Sequence, residues 1–270
     1  QRHPITAIAI IDLVFLPFFN FLILVLIPFS ATSSDCTISS LSPLLFSATA
    51  SITTSLFTDS SFVVDSVSYP ALPVPLANAT GAIGDNCIYI AGGQETMTNE
   101  QSTNHFYMLD LLHKEKGWQK MPGWEGPSLA YAVSVVQGGR FYLFSGRSYA
   151  PNEVMVEYTE GYVYEPGGRK WGKIAGNFPV MAGTAIPYEK DKIILLGGVE
   201  EILPTSPEHP GFSRKLRVIS TETNSLVDSL DCPYPIPVTT NAVYMGNDVY
   251  VVSGEIQPGI RTPLILKGTF

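Results

Sequence analysis

The residues best suited to chemistry lie near the C-terminus, in the run Ser253-Gly254-Glu255-Ile256-Gln257-Pro258-Gly259-Ile260-Arg261. A Pro-Gly pair turns the chain back, so Glu255 and Arg261 are expected on the two arms of one loop. A carboxylate suits general acid–base work when partial burial raises its pKa. An arginine's planar fork can grip a carboxylate through two parallel hydrogen bonds. On the motif alone, the plainer account is an ordinary loop salt bridge.

The placement of Glu255 recurs. Gln94 and Glu95 follow Gly92-Gly93, and Arg147 follows Ser145-Gly146, so their loops should share a face with Glu255 and could contact a ligand there. His209 stands in a long insertion between Gly198 and Arg214, where it either reaches that face or braces the loop against Pro210 and Phe212. Asn78-Ala79-Thr80 matches a glycosylation sequon. It opens a strand, however, where the asparagine is better placed to bond backbone or ligand. His105 and His113 sit on or beside a strand and suggest no catalytic role. The three cysteines (Cys36, Cys87, Cys232) and four histidines lack metal-ligand spacing. No Gly-rich phosphate loop or nucleophile elbow is present, so no cofactor and no metal are expected.

Those candidates hang on a repeat. CIYIAGG (Cys87–Gly93), FYLFSG (Phe141–Gly146), IILLGG (Ile193–Gly198) and VYVVSG (Val249–Gly254) each close the second of two apolar strands. Their final glycines are 53, 52 and 56 residues apart. A period near 50 with four short strands per unit is the pattern of kelch-type propeller blades. Third strands read HFYMLDL (His105–Leu111), GYVYEP (Gly161–Pro166) and KLRVIS (Lys215–Ser220). Trp118 and Trp171 each lie 25 residues beyond their glycine, on the fourth strand, where they can anchor neighbouring blades; Leu226 takes the place in the third unit.

The fold class is therefore all-β, a kelch-type β-propeller over residues 62–270 with about four blades represented. The last unit ends after its third strand, RTPLILKGTF, and FVVDSVSYPALP before the first unit reads as a fourth strand. A closed ring, which removes unpaired sheet edges, is expected to need more blades.

The head of the chain differs. Residues 1–60 carry four charges, Arg2, Asp12, Asp35 and Asp59, against 36 in the other 210 residues. Leu13–Phe29 is nearly all apolar and is expected to be an apolar helix or membrane-inserted, within an apolar segment over residues 1–30. That segment is read as a membrane anchor through residues 5–29, as a cleaved or uncleaved signal, or as a mis-assembled gene start. Residues 31–61, rich in serine and threonine, read as a linker. The expected localisation is secreted, or membrane-anchored on the extracytoplasmic side. A net charge of −8 offers no footprint for nucleic acid.

Two stretches resemble a known family. LPVPLANATGAIGDNCIYIAGGQE (Leu72–Glu95) and VYVVSGEIQPGIRTP (Val249–Pro263) are similar to the N-acetylneuraminate epimerases (sialic acid mutarotases), and closest to their cyclically permuted members. GWQKMPGWEGPSLAYAVSVVQGGRFYLFSG (Gly117–Gly146) and EHPGFSR (Glu208–Arg214) fit the same branch. The resemblance implies six blades, of which about two would be missing on the N-terminal side. It implies exchange of sugar anomers by ring opening and closure, with Glu255 as proton acceptor and Arg261 as its catalytic partner. It further implies a sugar acid as substrate, gripped by Arg261. A non-catalytic kelch module binding a protein or glycan partner is the competing class, since fold alone does not fix function.

Overall fold

The computed structural model describes residues 6–8, 26–28, 69–96, 101–150, 154–204, 208–245 and 247–269. Two short strands, β1 (Thr6–Ile8) and β2 (Leu26–Pro28), pair antiparallel. The apolar helix expected at the head of the chain lies outside the described residues, except at these positions, where the backbone is extended. Among the described residues, no helix is long and apolar enough to cross a membrane. The serine/threonine linker also lies outside them.

Four antiparallel sheets then follow in chain order, each built from consecutive strands. The first holds β3 (Thr80–Gly84), β4 (Cys87–Ala91), β5 (Phe106–Asp110) and β6 (Gln119–Lys120). The second holds β7 (Val133–Gln137), β8 (Arg140–Ser148), β9 (Val156–Glu165) and β10 (Lys170–Ile174). The third holds β11 (Thr184–Tyr188), β12 (Lys192–Leu196), β13 (Lys215–Ser220) and β14 (Ser225–Asp231). The fourth pairs β15 (Ala242–Met245), β16 (Asp248–Val252) and β19 (Ile265–Thr269). Between β16 and β19 a separate hairpin is formed by β17 (Glu255–Gln257) and β18 (Ile260–Arg261). The first strands of successive sheets, β3, β7, β11 and β15, lie side by side. This is a propeller arrangement of four blades.

The second strands of the middle two blades, β8 and β12, carry no polar alternation because both of their faces are buried. On β8, Phe141 and Leu143 join the core shared with the first blade, while Tyr142 and Phe144 join the core shared with the third. On β12, Ile193 and Leu195 face the second blade, and Ile194 and Leu196 the fourth. A period of two thus sends successive side chains to opposite cores, and a continuous apolar run is the result. Trp171 packs edge-on against Phe106 of the first blade at 4.9 Å between ring centroids, joining two blades as expected. Its indole N–H donates to the Pro122 carbonyl at 2.8 Å, and Trp118 donates likewise to Pro70 at 2.8 Å.

Three expectations change in detail. Trp118 precedes the two-residue β6 and is not on it. Residues 69–73, read as the end of a fourth strand, are irregular and present Pro70 as the acceptor for Trp118. Arg261 does not open the third strand of the last blade. Pro263, with no N–H to donate to a ladder, separates β18 from β19.

The paired glycines are required by packing. Gly198 has φ 99°, and a Cβ there would stand 2.5 Å from backbone atoms of Val180. Gly198→Ala should therefore lower stability by about 2–4 kcal/mol, from left-handed strain together with the clash. Chemical denaturation would show this as a lower midpoint with an unchanged slope.

Candidate active site

A residue three or four positions before each blade's first strand makes the same connection. Ala77 bridges Gln94, Ala130 bridges Arg147, Met181 bridges Val199, and Val238 bridges Glu255. The residue that follows is left-handed every time: Asn78 (φ 55°), Tyr131 (φ 58°), Ala182 (φ 56°) and Thr239 (φ 56°). These four are joined from blade to blade, because the N–H of Tyr131, Ala182 and Thr239 donates to the carbonyl of Asn78, Tyr131 and Ala182 respectively, at 2.9 Å each. The belt puts Gln94, Arg147, Val199 and Glu255 in equivalent positions on one face.

Glu255 opens β17 directly opposite Arg261 on β18. Its backbone exchanges two hydrogen bonds with Val238, at 2.8 and 3.1 Å. Its Oε1 accepts the Gly259 N–H at 2.5 Å across the Pro258-Gly259 turn, with Gly259 at φ 74°. Glu255 is half-buried and Arg261 exposed. His209, 7% exposed, lies against this hairpin. Its carbonyl accepts the Gln257 side-chain amide at 2.6 Å, and Phe212 N–H donates to the Ile256 carbonyl at 3.1 Å. The His209 ring turns back on its own loop, with Nδ1 accepting from Gly211 N–H at 3.0 Å and Phe212 edge-on at 5.4 Å. His209 therefore braces the hairpin through its backbone.

Gln94 is buried, and the Asn78 side-chain amide donates to its Oε1 at 2.8 Å. The sequon asparagine thus makes an internal bond. Glu95 turns away from the belt to His105 Nε2, 2.9 Å distant. That pair edges a polar cleft of ≈ 390 Å³, lined also by Ser102, Thr103, Asn104 and Ser128. Arg147 lies over Tyr131 at 4.1 Å and over Tyr149 at 4.9 Å, measured to the ring centroids. Burial raises the Tyr149 phenol pKa against the opposing pull of the Arg147 cation. His105, Tyr131 and Tyr149 are polar neighbours of the site that sequence reasoning passed over.

The third blade fills its place differently. Val199 occupies the belt position, and Glu200 follows it, accepting from Ser213 Oγ at 2.6 Å and from Arg217 Nη2 at 2.5 Å. Burial alone would raise the Glu200 pKa, but the Ser213 and Arg217 hydrogen bonds outweigh it and hold the carboxyl below its ordinary 4.5. A lowered folded-state pKa gives stability that is present above the unfolded value and lost as pH falls through the folded one. Glu200→Gln should therefore be less stable than the wild type at neutral pH. The difference in melting temperature should shrink as pH falls below about 4.5 and vanish at still lower pH. A difference that stays constant down to acid pH would contradict the ion-pair account.

Among the described residues, no group of three or more His, Cys, Asp or Glu side chains is arranged to hold a metal. Comparison with known proteins gives a consistent family. The N-acetylneuraminate epimerase family model matches residues 69–206, a stretch that ends before the Glu255 hairpin. The N-acetylneuraminate epimerase of Haemophilus influenzae (strain 86-028NP) is 25% identical over 244 residues, covering 80% of this chain and 63% of the relative. That of Salmonella arizonae (strain ATCC BAA-731 / CDC346-86 / RSK2980) is 25% identical over 227 residues, covering 73% and 57%. The chain spans about three fifths of the length of these curated relatives. The solved structure of YjhT superposes with a TM-score of 0.62 at 21% identity, over 74% of this chain and 65% of that one, and shares its fold. With the family model matching just over half of its residues, the chain belongs to the N-acetylneuraminate epimerase family.

Proposed function

We propose that this protein interconverts the anomers of N-acetylneuraminate or a related acidic sugar, with Glu255 as proton acceptor and Arg261 as its partner. The observation that carries the reading is their placement. A glutamate at a belt position is paired in register with an arginine across a two-stranded hairpin. Anomer exchange needs one group to take the proton of the anomeric hydroxyl and another to supply a proton to the ring oxygen, in the reverse order on closure. Gly259 N–H anchors Oε1 of Glu255, so Oε2 is the oxygen a substrate hydroxyl would reach. The proton that Glu255 takes would be relayed through water to the ring oxygen, and Arg261, on the opposite arm, would balance the charge that develops on the opening sugar. Gln94 and Asn78 lie at the equivalent place in the first blade and would donate to or accept from sugar hydroxyls. Glu95 belongs to the neighbouring cleft, and His209 holds the hairpin in position.

The test is NMR of a freshly dissolved single anomer of N-acetylneuraminate, followed to equilibrium with and without protein. The wild type should accelerate the approach. Glu255→Gln keeps shape and hydrogen bonding but loses the basic lone pair, so the catalysed rate should fall by about 10² to 10⁴. Its melting temperature should change little, since one partly exposed carboxylate adds little stability. An undiminished rate would remove Glu255 from the mechanism. Binding without acceleration by the wild type would favour a non-catalytic glycan-binding propeller.

A further inference from the structure

Resting on the epimerase reading, we propose that the Tyr131–Arg147–Tyr149 stack is the site that takes the sugar's carboxylate, and that Arg147, not Arg261, sets the preference for acidic sugars. Arg147 occupies the belt position equivalent to that of Glu255, two blades away, and one of its two stacking partners is the belt residue Tyr131 itself. It therefore lies on the face where the substrate would sit.

The geometry is that of a prepared anion site. The guanidinium lies against an aromatic ring at 4.1 Å and a second at 4.9 Å, which shield its charge from water. Its Nε is buried and has no hydrogen-bond partner. Among the described residues it forms no ion pair; Glu157, opposite it in register on β9, instead accepts the Ile202 N–H at 2.9 Å. A buried donor left without an acceptor costs stability. A carboxylate taking Nε and one terminal nitrogen side by side would relieve that cost with two charge-assisted bonds.

The stack is also held in place before any ligand arrives. Arg147 exchanges backbone hydrogen bonds with Ala130 at 2.8 and 2.9 Å. Tyr149 is tied to Ser102 twice, its N–H to Ser102 Oγ and its carbonyl to Ser102 N–H, at 3.0 Å each. Little ordering is left to be lost on binding. Arg261, in contrast, is exposed on a short hairpin, where water weakens an ion pair. In a chain of net charge −8, a sheltered cation is also what an anionic sugar would need.

The test uses sugars that cannot change anomer, so that binding is read apart from catalysis. The probes are the 2-O-methyl glycoside of N-acetylneuraminate and the methyl ester of that glycoside, titrated calorimetrically. Wild type should bind the acid about tenfold to a hundredfold tighter than the ester, the range of a hydrogen-bonded charged pair. Arg147→Lys should bring the two affinities to within about threefold by weakening the acid alone, because an ammonium cannot reproduce the fork. Arg261→Lys should leave the ratio in place. Tyr149→Leu, which removes one face of the stack but keeps the charge, should weaken the acid more than the ester, and it serves as the second variant if Arg147→Lys does not fold. No acid preference in the wild type, an unchanged ratio in Arg147→Lys, or loss of the ratio in Arg261→Lys would each overturn the assignment. Acid preference without accelerated mutarotation of the free sugar would leave the anion site standing and sink the epimerase reading. Acceleration without acid preference would do the reverse.

Discussion

The structure depends on a belt of four left-handed residues joined from blade to blade by their backbones. A left-handed conformation costs a residue with a Cβ about 1–2 kcal/mol. Asn78, Tyr131, Ala182 and Thr239 all adopt it, and none is glycine. The compensation is local. Each inter-blade N–H to carbonyl bond contributes about 0.5–1.5 kcal/mol. Because the belt fixes the residue beside each bridge, it also fixes the residue across the bridge. Gln94, Arg147, Val199 and Glu255 are thereby presented alike, and their side chains can vary without disturbing the scaffold.

Packing imposes the complementary constraint. The second and third blades are each wedged between two cores, and there is no room for side chains where a second strand turns out of the blade. Gly93, Gly198 and Gly254 mark that exit, at φ 89°, 99° and 112°, and Gly146, at φ 128°, marks the register shift within β8. Ser145 and Ser253 replace the first glycine of the pair in two blades, and each hydroxyl captures a backbone carbonyl, Tyr158 at 3.0 Å and Thr262 at 2.9 Å. A serine at that point is a second solution to the same turn, with a hydrogen bond added to offset the strain of positive φ.

This explains what could be read in the residues and what could not. The blades were legible because glycine and long apolar runs have few other uses at a spacing near 50. The Glu255–Arg261 pairing was legible because Pro258-Gly259 admits little besides a tight turn. The belt was not, since its conformation is imposed by backbone bonds that leave no common side chain at Asn78, Tyr131, Ala182 and Thr239. Tyr131 and Tyr149 resembled the core aromatics that alternate along strands, and only their contact with Arg147 distinguishes them. His105 gave no signal, because its partner Glu95 lies across a loop from it.

The same constraints separate the site into parts of different character. Arg147 lies within the long β8 ladder, bonded to Ala130 on one side and paired in register with Glu157 on the other, so its position is set by the sheet. The Glu255 hairpin has only its first residue on the belt, and a shift in register between Glu255 and Gln257 loosens the rest. Its tip is held instead by the insertion from the preceding blade, through the His209 carbonyl and the Phe212 N–H. The longest interval between repeats, 56 residues, contains that insertion. The added length in the third blade is therefore used by the fourth, where it steadies a carboxylate that its own short strands do not.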